Sequence, residues 1–315
     1  MFSFLRRKKN NIKLAEPMHF IGKYPVDPEY IKMGDNEAFI FEVNAYLKLL
    51  HGELISIKGE KLSDLAVCYF LEVDTALSDC VVGRVGPSQD KSERDNLFML
   101  SRHVMDESIK KYPLFIPSLY NDFFRQTDEL LNQTMTCHSL SDFQIKLNNL
   151  NQSSLYLDNK QVLNTAVDQL KRLSIEGYRQ SLAEFGIVLS TPILVGIWRQ
   201  WRNAFVQGGS LSEYLPVKIE LPSDDNLNYY VSFICQVIEP LFEFIGHYRI
   251  FWWRDELHGK AWCLISNTKK DPQTDLLLFN HTLSDQLRCL RHEQDAIPLA
   301  EAADSLLDAL QVVAK

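Results

Sequence analysis

The sequence predicts an α/β fold, a three-layer α-β-α sandwich with a mixed sheet and a helical elaboration in the middle of the chain. Helix and strand signals alternate along the flanks, as a sheet covered by helices requires. The segment after Pro117 carries a broad apolar helical face able to cover such a sheet. A composition of 315 residues with 46% hydrophobic and 23% charged content is enough to bury one large core or two smaller ones.

Taken in order, His19-Phe20-Ile21 reads as a short strand, after which Gly22 releases the backbone and Pro25 and Pro28 block helix until about Tyr30. From Asp35 the pattern turns helical. Asp35 or Asn36 can cap this helix, Glu37 suits its positive end, and Phe39, Val43, Tyr46, Leu47 and Leu50 share a face that ends near Gly52. Ala66 to Val73, Cys80 to Val85 and Leu97 to Val104 read as central strands separated by charged turns. Pro117-Ser118 then opens a helix with Tyr120, Phe123, Phe124, Thr127, Leu130 and Leu131 on one side.

The middle, about residues 136–205, is the helical elaboration, with Leu163, Val167, Leu170, Ser174 and Gly177 at helix spacing and a loop expected at Asn148 to Ser154. It belongs to the main domain or forms a separate partner-binding subdomain. Val217 to Leu221 reads as a strand and Tyr229 to Phe244 as a helix interrupted or shifted at Pro240. Arg249–Trp253 and Trp262–Ile265 form a hairpin, and a final helix starts near Pro298 with a stripe of Leu299, Ala303, Leu306, Leu307, Leu310 and Val313. The expected organisation is thus a flexible basic tail over 1–16, an α/β domain over 17–280, and a C-terminal helical extension over 281–315.

Charge and cysteine usage narrow the functional classes. A net charge of −8 argues against broad nucleic-acid binding, which needs a basic face. Six cysteines without a CxxC pair, most of them among apolar residues, read as reduced core thiols of a cytosolic protein. No apolar run is long enough to cross a bilayer, and Met1-Phe2-Ser3-Phe4-Leu5 before Arg6-Arg7-Lys8-Lys9 reverses the order of a secretory signal. That basic segment is either a solvated end or a weak contact to anionic lipid or an acidic partner.

The search for catalytic motifs is negative. Gly22-Lys23 lacks the frame of a phosphate-binding loop, His292-Glu293 meets Ala296 where a second zinc ligand would stand, and no serine sits in a GxSxG elbow. No cofactor or metal is expected. A hydrolase with a site assembled from distant Cys or Ser and His residues is the competing class.

The strongest signal lies in two turn-centred segments. Gly22-Lys23-Tyr24-Pro25, then Glu29-Tyr30-Ile31 and Gly34, then Val43-Asn44-Ala45-Tyr46-Leu47, resembles the amino-terminal signature of the TagF (ImpM) family, roughly GKLPxxGDFVxxG followed by a helix with WDxWL. Pro28-Glu29-Tyr30 replaces Gly-Asp-Phe, and Val43, Asn44 and Tyr46 replace Trp, Asp and Trp. Pro87-Ser88-Gln89-Asp90 with Arg94 resembles the family's PSxDxxGR, with Glu93 in place of glycine, and Phe251-Trp252-Trp253 with Gly259 resembles its late Trp-Trp hairpin.

The resemblance implies a cytoplasmic, non-enzymatic post-translational regulator that represses assembly or firing of a type VI secretion system by binding its FHA-domain scaffold protein. Some relatives are fused to a PppA-type phosphatase, whose motifs this chain lacks. A fixed structural component of the apparatus is a further alternative. Asp90 and Arg94 are expected to clamp their loop, to meet a partner or to serve catalysis, and Lys23 and Glu29 either to tie the first strand to its helix or to present charge. Trp252 and Trp253 should point to opposite faces, one into the core and the other toward a covering helix or a partner. Gly22, Lys23, Pro25, Glu29, Pro87, Ser88, Asp90, Arg94, Trp252 and Trp253 are therefore the candidate partner-binding or loop-structuring residues.

Overall fold

The computed structural model describes residues 18–25, 27–34, 37–56, 67–74, 79–104, 110, 112–134, 139–153, 159–207, 216–242, 246–255, 259–266, 288–292, 297–299 and 303–314. The basic opening segment and the cap candidates Asp35 and Asn36 lie outside them. Among the described residues, nine strands form one sheet in the order β2-β1-β5-β4-β3-β7-β8-β6-β9. They are β1 (Met18–Tyr24), β2 (Asp27–Met33), β3 (Cys68–Asp74), β4 (Asp79–Gln89), β5 (Asp95–His103), β6 (Val217–Leu221), β7 (His247–Asp255), β8 (Lys260–Ser266) and β9 (Arg288–Leu290). All pairings are antiparallel except that of β6 with β9, so the sheet is mixed, as predicted.

Helices cover both faces. On one lies α1 (Glu37–Ser56), whose Val43, Tyr46, Leu47, Leu50 and Leu54 pack with Ile21, Val85, Leu97, Phe251 and Trp253. On the other lie α2 (Ile116–Leu119), α3 (Asn121–Thr134), α4 (Leu140–Ser153), α5 (Asn159–Arg172), α6 (Ile175–Glu184), α7 (Thr191–Gln207), α8 (Leu227–Val237), α9 (Glu239–Phe242) and α10 (Leu306–Ala314). Their buried residues, among them Phe124, Phe143, Leu170, Trp198, Phe233 and Leu306, join those of the sheet in one continuous core. Each such large side chain contributes about 1.5–3 kcal/mol by leaving water.

Several expectations shift. The segment after Pro25 is a strand: β2 is an edge strand, where the missing N–H of Pro28 is tolerated. Asn148 to Ser153 continues α4, because burial of Phe143, Leu147 and Leu150 outweighs the low helix propensity of Asn and Ser. The expected stripe from Leu163 to Gly177 is split between α5 and α6 at Ser174, which takes an extended conformation (ψ 148°) and accepts a hydrogen bond from the Gly177 amide at 3.0 Å.

The end of the chain also differs. Ile297 to Leu299 run without helix across α7, where the Leu299 amide donates to the Pro192 carbonyl at 3.1 Å. A Cβ on Gly196 would come within 2.1 Å of the Ile297 carbonyl oxygen, so that crossing requires glycine. The final helix starts at Leu306, not near Pro298, and is capped by Ser305, whose hydroxyl accepts from the Asp308 amide. Ser305 bridges Ser174, so the starts of α6 and α10 are stitched together. The region after residue 280 thus supplies a sheet strand as well as a helix packed on α5, α7 and α8.

Candidate functional site

The two turn-centred segments meet at one end of the sheet. Between Gly22↔Ile31 and Tyr24↔Asp27 the register slips, so three residues of β2, 28 to 30, face the single Lys23. Such a bulge re-aims a side chain. Gly22 takes φ +148°, and a Cβ there would lie 2.5 Å from the Phe98 Cα, which explains the glycine. Lys23 Nζ reaches Asp90 Oδ2 at 2.9 Å, and Arg94 Nε donates to the same oxygen at 2.7 Å. The Ser92 and Arg94 amides donate to Asp90 Oδ1 at 2.8 and 3.0 Å, and the Lys91 amide reaches the Asp27 carbonyl.

Asp90 is 2% exposed, whereas the Arg94 side chain is 61% exposed. Burial pulls the Asp90 carboxyl toward its neutral form, but the bonds from Lys23, from the Arg94 and Ser92 amides and from the Arg94 guanidinium outweigh it. The carboxyl is held well below its ordinary range. Asp90 is therefore an internal clamp and offers no partner contact. Lys23 binds Asp90 and so ties the first strand to the β4–β5 turn, where a tie to the following helix was expected, while Glu29 is exposed and its amide donates to Asp27 Oδ1. Pro87 and Ser88 are not in a loop but in β4, opposite Leu97 and Asn96, and Pro25 is half-buried in the β1–β2 turn. Glu93, where the family has glycine, sits at φ +59°, in the left-handed region.

Trp252 and Trp253 do point to opposite faces, and both are buried. Trp252 Nε1 donates to Asn228 Oδ1 at 2.7 Å beneath α8, while Trp253 pairs with Trp262 on the α1 face, beside Lys218 Nζ. Neither indole is an interface anchor. Three exposed apolar groups lie together on α1 instead: Phe41, Leu49 and Ile55 are 72%, 61% and 63% exposed and fall within one helical stripe with Ala45 and Gly52. They share the outer side of α1 with exposed Glu42, Lys48 and Glu53, so that side is a mixed surface in which three large apolar groups stand in water.

Sequence reading missed the opposite end of the α1 face. Register aligns His19 with Ser101 on β1 and β5, then His103, Glu72, Arg249 and Ser266 across β5, β3, β7 and β8, then Asp79, Asp74 and His247. These occupy the side of the sheet that is apolar nearer the clamp. Glu72 holds Arg249 at 3.4 Å and His247 at 3.2 Å, and Asp79 holds His103 at 3.3 Å. The hydrogen bond from His103 is the main reason that the Asp79 carboxyl titrates below its ordinary value. The Arg249 guanidinium lies over the Tyr46 ring of α1 at 5.5 Å. No sequence motif could have exposed this end, since its members come one or two per strand from residue 19 to residue 266.

Activated serine chemistry needs a base in hydrogen-bond reach. Ser101 Oγ, buried beside His19 and His103, has no hydrogen-bond partner among the described residues. Among the described residues no group of His, Cys, Asp and Glu is arranged to hold a metal. Cys68, Cys80, Cys235 and Cys263 are buried thiols outside any disulfide, and burial pushes Cys68 up to about 12. On the other sheet face, Tyr178 OH and His292 Nε2 are 3.1 Å apart inside the core, and burial drives His292 down to about 3.

No protein-family model matches the chain, and no curated protein does. Among solved structures, the chain is similar to PA0076 from Pseudomonas aeruginosa PAO1, with 18% identity and a TM-score of 0.34 over 44% of this chain and 63% of that one. The chain thus spans less than two thirds of that protein, and a likeness this slight carries no argument. Among the described residues no helix is long and apolar enough to cross a membrane.

Proposed function

We propose that this protein is a TagF-like, non-enzymatic cytoplasmic regulator that represses type VI secretion by occupying a surface of the FHA-domain scaffold protein. The observation that carries the reading is the outer stripe of α1, where Phe41, Leu49 and Ile55 stay in water on the helix that follows the family-like turn. Occupation needs no turnover, only an apolar patch held rigidly. The Lys23–Asp90–Arg94 clamp serves that rigidity, because β1, β4 and β5 carry α1 on their surface. The docking role belongs to α1, and the clamp residues position it.

The test is calorimetric binding to the scaffold protein with Phe41→Glu/Leu49→Lys, checked for folding by circular dichroism. Loss of at least about tenfold in affinity is expected, since burying two large apolar side chains is worth about 3 kcal/mol or more. Unchanged affinity would discard this surface. Deleting the gene should raise secretion; abolished secretion would instead mark a structural component, and multiple turnover of a substrate would mark a hydrolase.

A further inference from the structure

We propose that the outer side of α1 is an interface between two copies of this chain, which pair with their α1 helices parallel about a two-fold axis. The exposed residues of α1 repeat every seven positions. Phe41, Lys48 and Ile55 form one flank, Ala45 and Gly52 the centre line, and Glu42 and Leu49 the other flank, with Glu53 beside them. A seven-residue repeat keeps one face of a helix against another helix over several turns. Val43, Leu47, Leu50 and Leu54 hold the opposite side of α1 on the sheet, so this repeat is not used in the chain's own core.

Two features select a second copy as the occupant. The first is charge. A two-fold axis along parallel helices brings the Lys48 flank of one copy against the Glu53 flank of the other, five residues further along, the offset at which side chains bridge parallel helices. Symmetry makes that contact twice. An antiparallel pair would instead set the acidic flanks of Glu42 and Glu53 against each other. Within its own chain, the exposed Lys48 has its Nζ 5.9 Å from the Tyr30 ring centroid, a weak hold.

The second feature is Gly52. Glycine is a poor helix residue, yet Gly52 stands within α1, and a Cβ there would meet nothing within 4 Å. In α7 the glycine has a reason: the backbone at Ile297 crosses Gly196 within 2.1 Å of where its Cβ would be. Gly52 and Ala45 leave the same kind of room on the centre line of α1, for a helix that comes from outside the molecule. One helix against another falls below the roughly 1,200 Å² of stable interfaces, so the dimer is reversible. The second copy covers the side assigned above to the scaffold, so self-association and scaffold binding compete. That competition rests on the scaffold reading; the pairing itself does not.

The experiment is sedimentation equilibrium of the full chain alone, from about 1 to about 200 μM, at about 0.15 M NaCl, where the net charge of −8 on each copy is largely screened. A reversible monomer–dimer equilibrium is expected. Gly52→Leu should weaken it at least about tenfold while raising the thermal midpoint, since leucine is the better helix former, so the loss is not unfolding. Lys48→Glu should weaken it about fivefold, and Lys48→Glu/Glu53→Lys should restore it to within about twofold. On mild oxidation, Ala45→Cys and Gly52→Cys should each join to its own counterpart, because a parallel centre line keeps both positions within disulfide reach. Peptide mass spectrometry identifies the bond, with the parent chain as the blank. A chain that stays monomeric to about 200 μM, a dimer untouched by Gly52→Leu, a charge exchange that restores nothing, or a disulfide at only one of the two positions would overturn the proposal. The measurement contains no scaffold, so a failed scaffold titration leaves its result standing.

Discussion

The two ends of the α1 face of the sheet solve the problem of buried charge in opposite ways. At the clamp end a single carboxylate, Asp90, gathers donors from its own turn and from Lys23 on a neighbouring hairpin, and the surroundings are apolar. At the other end charge is spread over β3, β4, β5 and β7, with Glu72 answering Arg249 and His247 and Asp79 answering His103. A local solution survives the loss of one distant partner, whereas a distributed one strands its remaining members. Breaking a buried pair leaves an uncompensated charge, which costs more than the pair contributed.

The largest effect should therefore come from the distributed end. Glu72→Ala removes the carboxylate 3.4 Å from Arg249, which is 2% exposed, and should cost about 3 kcal/mol in urea unfolding, the low end of the usual range because Glu72 keeps some contact with water. Glu72→Ala/Arg249→Met should recover much of that loss. If it recovers none, the pair acts through something other than mutual neutralisation. At the clamp end, Asp90→Ala should cost about 2 kcal/mol by removing charge-assisted hydrogen bonds to two amides and two cations. Arg94→Ala, which removes a mostly exposed partner, should cost under about 1 kcal/mol.

Acid should distinguish a third setting, the helix-covered core. His292 falls from 6.5 to about 3 in the folded protein, so the unfolded chain takes up its proton first. Its contribution is complete above pH 6.5 and drains as pH falls toward 3, with a slope of up to about 1.4 kcal/mol per pH unit. His292→Gln should flatten that limb. The Asp90 carboxyl is lowered from 3.8, so its contribution is complete above that value and is lost only below it, and Asp90→Asn should change the profile only in that more acidic range. Two windows that coincide would contradict the separate origins of the shifts.

The smallest expected change is a gain. Glu93→Gly relieves a left-handed residue in the clamp turn and should stabilise by up to about 1 kcal/mol in thermal unfolding. A loss would mean that the Glu93 side chain supports the turn by contacts of its own.

Legibility in sequence followed the distance between partners. Asp90 and Arg94 stand four residues apart, and their pairing could be read from spacing. The strand at Val217 to Leu221, a helix break close to Pro240, which falls at Ile238 two residues before it, and the division of Trp252 from Trp253 were likewise legible, because each depends on neighbouring residues or on a period of two. β2 was not, because a segment with two prolines near it has little strand propensity and becomes a strand only by pairing with β1. The helix over Asn148 to Ser153 was hidden for the same reason, its stability coming from side chains buried against other elements.

The sequence by itself determined the alternation of helix and strand, the apolar stripes and the two constrained turns, all of which rest on local backbone preference and short-range periodicity. Tertiary structure alone decided that Lys23 reaches Asp90, that α1 keeps Phe41 and Leu49 in water, and that His19, Glu72, His103 and Arg249 share one polar end. Strand order and register make those neighbours, and both are set by packing across the whole sheet, which no short stretch of chain contains.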